Sequence, residues 1–293
     1  MKHRDGMKMP RRDALAAMGA IALAAKPGLF AEAAPKSTAK IALQLYTMRE
    51  PTKADLADTL KKVRAMGWEY VQWSGMPDLP ADKIRAALDT AGLKAMACHC
   101  GVEAFETDFD NQLKFWKTVG VEAVGPGGMM KECQKSLADW IAGAKRLDAI
   151  GAKLREAGLR LTFHNHSGEF EKFDDDPRCK LDILYETASP KNLTAELDLA
   201  WIKVAKVDPA AYLRKCKGRC IQVHAKDVLL DKDGKKKKFA PLGQGELDWK
   251  AVFAAGAEAG VQWYIYEQDD GDGSPFDWAQ VSYEFLSKNV LGK

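Results

Sequence analysis

The chain has 293 residues, 46% of them hydrophobic, with 44 Lys and Arg against 41 Asp and Glu and a formal net charge of +3. That length and apolar fraction allow one large core in a single domain. The near-balance of charge argues against nucleic acid as a partner, which needs a basic face.

The N-terminus reads as separate from the fold. Arg11-Arg12 precede an Ala-rich apolar stretch from Ala14 to Ala25, followed by Pro27-Gly28 and Ala31-Glu32-Ala33-Ala34. A charged start, an apolar centre and a small-residue cleavage site predict an export signal over residues 1–34. The stretch is shorter than the ~20 apolar residues of a membrane span. The Arg pair is similar to a twin-arginine signal, although Asp13-Ala14-Leu15 follows it and no Ser or Thr precedes it. The expectation is a periplasmic or otherwise exported protein with no membrane association in its mature form.

From residue 39 to 293 one unit recurs. A segment of helical period closes on a Gly, and a short apolar run follows; the joints are Gly67, Gly92, Gly120, Gly158 and Gly260. Gly is favoured just past a helix because the chain turns left-handed there. Leu56, Leu60, Val63 and Met66 share one helical face, as do Leu137, Ile141, Ala144, Leu147 and Leu154. The apolar runs are Ile41 to Tyr46, Tyr70 to Trp73, Lys94 to Cys98, Ala123 to Val124, Arg160 to Phe163, Leu193 to Leu197, Ile221 to Val223 and Trp263 to Tyr266. They are short and bounded by turn residues, as strands buried on both faces are.

Eight such strands alternating with helices over about 250 residues predict an α/β fold, a single (β/α)8 TIM barrel. A doubly wound sheet would want G-x-G-x-x-G after its first strand, where Gln44-Leu45-Tyr46-Thr47 stands. Gly125-Pro126-Gly127-Gly128 reads as a tight loop after the fourth run rather than a phosphate cradle. The run Lys235 to Lys238 reads as a solvated loop tip. Six cysteines suit an oxidising compartment without fixing a pairing. Cys98 and Cys100 alternate with His99 and would point away from it. Cys216 and Cys220 could meet across a helix end, but small buried side chains are the simpler reading.

The chemistry sits at the ends of the later runs. His164, with Asn165 and His166, ends the fifth; Asp198, His224 and Glu267 end the sixth, seventh and eighth. They lie tens of residues apart, too far for a local metal clip, yet strand ends of a parallel barrel gather at one mouth. Two imidazoles and two carboxylates form a mixed N/O shell, suited to Mn²⁺, Zn²⁺, Fe²⁺ or Co²⁺ rather than Ca²⁺. Without a cation the two carboxylates would repel each other in a dry pocket.

Several motifs carry a family likeness: Gln44 to Arg49, Phe163-His164-Asn165-His166 with Glu169-Phe170, Leu197-Asp198 before Trp201, Val223 to Asp227, Gly243 to Trp249 and Tyr266 to Asp269. By these the chain, from about Ile41 to its last helix, resembles the sugar phosphate isomerase/epimerase superfamily of xylose isomerase-like barrels. That group includes inosose dehydratases, ketose 3-epimerases and the endonuclease IV group. The resemblance implies a divalent metal held from strands five to eight, usually by Glu, Asp, His and Glu. Asp198, His224 and Glu267 match the last three, and His164 stands where many relatives have Glu; His166 and Glu169 are the alternatives at that position.

It further implies proton abstraction next to a carbonyl of a small carbohydrate, through a metal-stabilised enediolate. Glu267 is the foremost base, with His166 and Glu169 behind it, and Lys226 and His99 could steady the enediolate or a leaving group. Gln44, Trp73 and Trp201 could line the sugar pocket. Relatives that epimerise use paired glutamates of strands five and eight, so His164 is at odds with a symmetric two-base mechanism. The expectations are therefore an isomerase or epimerase first, a lyase or dehydratase on a keto-sugar or 3-keto-glycoside second, and a non-catalytic sugar-binding barrel third. Export and the lack of an arginine cluster at the strand ends favour an unphosphorylated substrate. The oligomeric state is left open, a homo-oligomer included.

Overall fold

Eight parallel strands close into a ring in the computed structural model, which describes residues 38–75 and 77–293. The export signal expected over residues 1–34 lies outside the described residues. The barrel strands are β1 (Lys40–Gln44), β2 (Tyr70–Trp73), β3 (Lys94–His99), β4 (Ala123–Gly125), β5 (Arg160–His164), β6 (Leu193–Asp198), β7 (Cys220–Ala225) and β10 (Trp263–Tyr266). Each pairs in parallel with the next, and β10 pairs with both β7 and β1 to shut the ring. This is the (β/α)8 TIM barrel that the alternation of elements predicts.

The helices outside the ring are α1 (Arg49–Ala54), α2 (Leu56–Ala65), α3 (Ala81–Ala91), α4 (Ala104–Thr107), α5 (Phe109–Val119), α6 (Leu137–Glu156), α7 (Lys180–Thr187), α8 (Leu199–Val204), α9 (Pro209–Lys215), α10 (Trp249–Ala259) and α11 (Pro275–Leu286). Local signals set their ends. Asp55 caps α2 by accepting the Asp58 N–H, and Ser136 caps α6 by accepting the Asp139 N–H. The five joint glycines all have positive φ, from 71° to 108°. At Gly67 space adds to conformation, because a Cβ there would lie 2.3 Å from the Tyr283 ring. The predicted faces of α2 and α6 are buried through Leu60 and Val63 and through Ala144, Leu147 and Leu154.

Two kinds of core follow from strand alternation. Outward side chains such as Leu43, Val71, Trp73, Phe163 and Leu197 join the helices in one large hydrophobic layer. Inside the ring, Ala42, Met96, Ala97, Ala123, Trp263 and Ile265 pack together. Further along the strands the interior turns polar, with Gln44, Gln72, Glu196 and Gln222 all buried. His164, Asp198, His224 and Glu267 then follow at the strand ends.

One expectation is corrected. The lysine run is not a loop tip: Lys236–Ala240 forms β9, antiparallel to β8 (Asp227–Leu230), in a hairpin placed after β7. Like charges hid a strand with period 2. Lys236 and Lys238 reach Asp270 and Asp272, while Phe239 is 1% exposed. All six cysteines are free, Cys216 and Cys220 included. Among the described residues no helix is long and apolar enough to cross a membrane.

Candidate metal centre

His164, Asp198, His224 and Glu267 meet at the carboxyl end of the barrel, with one ligating atom of each within 4.8 Å of the others. All four are buried. Strand direction explains this: β5, β6 and β7 end at or just past the first three, and Glu267 directly follows β10. The loop chemistry then aims them. Asp198 caps α8 by accepting the Trp201 N–H at 2.9 Å, and its own N–H donates to Asn165 Oδ1 at 3.1 Å.

That arrangement leaves Asp198 Oδ2 and His164 Nδ1 buried without a hydrogen-bond partner. Buried polar atoms are ordinarily satisfied. Two orphaned donor atoms within a compact N/O set are what a cation would satisfy, so these residues fit a divalent metal.

His224 lies between two carboxylates. Its Nδ1 is 2.9 Å from Glu267 Oε2, and its Nε2 is 3.0 Å from Glu196 Oε1 and 2.7 Å from Gln72 Oε1. Burial opposes its charge, yet Glu196 and Glu267 together push its pKa up to about 10. Burial pushes Asp198 up to about 7 against the pull of Lys226. Glu267 moves the other way: burial would raise it, but Lys226 and His224 hold it well below the usual carboxylate range. Burial, then the charge on His224, keeps His164 well below the usual imidazole value. His166 is partly open to solvent, yet desolvation of its ring and the Lys226 charge push it down to about 4. Near neutral pH, Glu267 is therefore an anion and His166 a neutral imidazole, the forms in which each accepts a proton.

Above the four ligands opens a cleft of about 270 Å³ lined by Tyr46, Ser74, His99, Gly127, His164, His166, Lys226, Glu267 and Asp269. It shares His99, Gly127 and His166 with an outer groove of about 610 Å³ that runs past Cys100, Met129, Met130 and Glu169. A larger cavity, about 730 Å³, opens on the flank between Lys206 and Asp248 and contains none of these ligands. Size there does not mark chemistry.

Other expected residues take varied places. Lys226 is buried at the mouth, bonded to Glu267 at 2.9 Å and Asp269 at 2.7 Å. Its neighbour Asp227 faces the other way, accepting the N–H groups of Gly243, Gly245 and Leu247 and the Trp249 indole. Trp201 packs beside His166, with ring centroids 5.5 Å apart, and beneath Lys226. Glu169 accepts the His166 backbone N–H at 2.8 Å and lines the outer groove, outside the ligand cluster.

Gln44 is deep in the ring, donating to Gln72 at 2.8 Å, and Tyr46 lines the cleft instead. Trp73 is corrected: Gln72 points inward, so Trp73 points outward into the hydrophobic layer and Ser74 reaches the cleft.

The residues missed from sequence are Glu196, Gln72 and Gln222 inside the ring, and Phe239 and Asp269 at the mouth. Alternation from Asp198 back to Glu196 was the available signal for the first.

Residues 60–289 match the xylose isomerase-like TIM barrel family, here over most of the described chain. The chain belongs to that family. Within it, the chain is 23% identical over 168 residues to inosose dehydratase of Lacticaseibacillus casei, a match covering 52% of this chain and 55% of that protein. It thus spans about half the length of the dehydratases it matches. A sugar phosphate isomerase/epimerase from Parabacteroides distasonis ATCC 8503 superposes with TM-score 0.69 at 18% identity, over 92% of this chain and all (100%) of that one. The IOLI protein with a bound zinc atom superposes with TM-score 0.67 at 16% identity, over 86% of this chain and 98% of that one. At such identities the structural likeness shows a shared xylose isomerase-like barrel.

Proposed function

We propose that this barrel is a metal-dependent enzyme that removes a proton next to the carbonyl of a small keto-sugar, and that it completes the reaction as a lyase. The observation that carries the metal is the pair of buried atoms without a hydrogen bond, His164 Nδ1 and Asp198 Oδ2, within one four-residue donor set. His164, Asp198, His224 and Glu267 would hold a divalent cation of the Mn²⁺, Zn²⁺, Fe²⁺ or Co²⁺ type. When bound, it supplies Lewis-acid polarisation of a carbonyl and an adjacent hydroxyl.

The chain's own residues do the rest. Glu267, an anion at the cleft wall, takes the α-proton, with neutral His166 as the alternative base. Lys226 faces the same cleft and balances the charge that develops on the sugar oxygen. The electron pair of the broken C–H bond forms the enediolate. In elimination it then expels the substituent on the β-carbon, which leaves with the proton that Glu267 took from the α-carbon.

Two features favour elimination over epimerisation. The fifth-strand position holds His164, so no second carboxylate opposes Glu267 there. The outer groove, which shares His99, Gly127 and His166 with the cleft, has room for a leaving group. The likeness to inosose dehydratases supports the same choice, and the lack of an arginine cluster at the mouth supports an unphosphorylated substrate. Export to the periplasm belongs to this proposal as well. An isomerase or epimerase is the second reading, supported by the family, since both reactions share the first step.

Product analysis in D2O with metal-loaded protein and a 3-keto-glycoside tests it. Release of the aglycone is the expected result. A deuterated epimer with no release would replace the lyase with an epimerase, and tight binding with neither product would make the barrel a sugar-binding protein.

A further inference from the structure

The steps above make no use of Glu196, a carboxylate buried inside the ring. It stands two residues before Asp198 on β6, so alternation sends both side chains inward. The β6–β7 register shifts between Ala195 and Glu196, the kind of irregularity that re-aims a side chain beside a site. Glu196 Oε1 meets His99 Nε2, His224 Nε2 at 3.0 Å and His164 Nδ1 at 3.5 Å. Its Oε2 accepts the side-chain amides of Gln72, at 2.7 Å, and Gln222.

His99, His164, Glu196 and His224 also bring donor atoms within 4.8 Å of one another, so composition alone would make this a second cation site. Hydrogen bonding decides otherwise. Both Glu196 oxygens already face N–H donors, whereas Asp198 Oδ2, which belongs to the other set alone, has no hydrogen bond. A metal-bound imidazole characteristically gives its other N–H to a carboxylate that fixes its tautomer and orientation.

We infer that Glu196 is that carboxylate, a positioning residue for two histidines at once, on the reading of a metal centre given above. It shares the Nε2–H of His224, from which it lies 3.0 Å, with Gln72 Oε1 at 2.7 Å, which leaves Nδ1 turned to Asp198 and Glu267. It also takes the Nε2–H of His99, which leaves the Nδ1 edge of that ring facing the cleft beside Gly127.

The test is a Co²⁺ titration of wild type, Glu196→Gln and Glu196→Ala against a competing chelator. Visible spectra of the Co²⁺ forms and circular dichroism of each protein accompany it. One Co²⁺ per chain is expected throughout, held about 10- to 100-fold more weakly in the variants. Altered Co²⁺ absorption bands should report the re-oriented imidazole, a change that general destabilisation would not produce. Where Glu196→Ala does not fold, the isosteric Gln variant carries the measurement. Unchanged affinity and spectrum in Glu196→Gln overturn this inference alone. Two Co²⁺ in wild type and one in the variant overturn it by making Glu196 a ligand. A wild type that binds no Co²⁺ overturns the metal-centre reading together with it.

Discussion

Lys226 Nζ and Glu267 Oε2 stand 2.9 Å apart at the barrel mouth, and both side chains are buried. Asp198, at 3.6 Å, and Asp269, at 2.7 Å, face the same ammonium. Burial opposes that charge, but Glu267, Asp198 and Asp269 raise the lysine pKa above its ordinary value, so Lys226 is a fixed cation. Phe239 covers it, with the nitrogen 4.4 Å from the ring centroid. On the proposed mechanism this cation balances charge that develops on a sugar oxygen, and so acts mainly on the transition state. Lys226→Met should therefore lower turnover about 10²- to 10³-fold and leave metal content at the wild-type level. Elemental analysis alongside product assays checks this; metal lost together with activity would place Lys226 in support of the ligand set instead.

Asp198 carries a different burden. Its Oδ2 is buried without a hydrogen bond, with the Lys226 ammonium 3.6 Å away, and a buried acceptor left without a hydrogen bond costs the metal-free fold about 1–3 kcal/mol. Asp198→Asn keeps an oxygen for the Trp201 N–H cap but removes the anionic ligand. Metal retention after dialysis should fall to background. In the presence of chelator the variant should melt at or above the wild-type temperature, because a buried anion is gone. A variant that keeps its metal, or that is much less stable than metal-free wild type, contradicts this account of the site.

The sequence made the ring and most of its mouth legible because both rest on local rules. Glycine joints and short apolar runs mark each strand, and a residue at a strand end needs no knowledge of its neighbours to be placed at the mouth. The interior layer was harder. Gln44, Gln72, Glu196 and Gln222 make sense only across strands that are far apart in sequence, since each amide or carboxylate is satisfied by another. Trp73 shows the same limit from the other side. It ends an apolar run, yet its direction depends on Gln72 being drawn inward to Glu196. Phe239 was hidden inside a run of lysines whose alternation shows only once β9 pairs with β8.

Asp227 locks the loop after the hairpin, and that lock gives a stability prediction apart from catalysis. Its two oxygens accept four backbone N–H groups, of Val228, Gly243, Gly245 and Leu247, and one indole N–H, of Trp249. A Cβ on Gly245 would fall 2.1 Å from Asp227 Oδ1, and the carboxylate, held by five donors, has no room to yield. Gly245→Ala should destabilise the fold by about 1–3 kcal/mol. Asp227→Asn should cost a similar amount or more, because an NH₂ group would then face N–H donors. Denaturant unfolding measures both; values within about 0.5 kcal/mol of wild type, the range of bland surface changes, would contradict the proposed lock.

Acid stability offers a test away from the mouth. Asp182, on α7, accepts Lys215 Nζ at 2.6 Å and the Tyr212 hydroxyl at 2.9 Å, tying α7 to α9. Burial works to raise its pKa, but these two bonds and Cys179 outweigh it and hold the carboxyl below its ordinary value of 3.8. A carboxyl depressed by folding stabilises the native state above its unfolded pKa, and that support is lost as pH falls through the lower folded value. Asp182→Asn removes the ionisable group. Relative to wild type it should be less stable at neutral pH, with the gap narrowing as pH falls below about 4 and the wild-type carboxyl gains its proton. Unfolding midpoints across that range decide the matter. A gap that stays constant would mean that Asp182 contributes only uncharged hydrogen bonds to the α7–α9 contact.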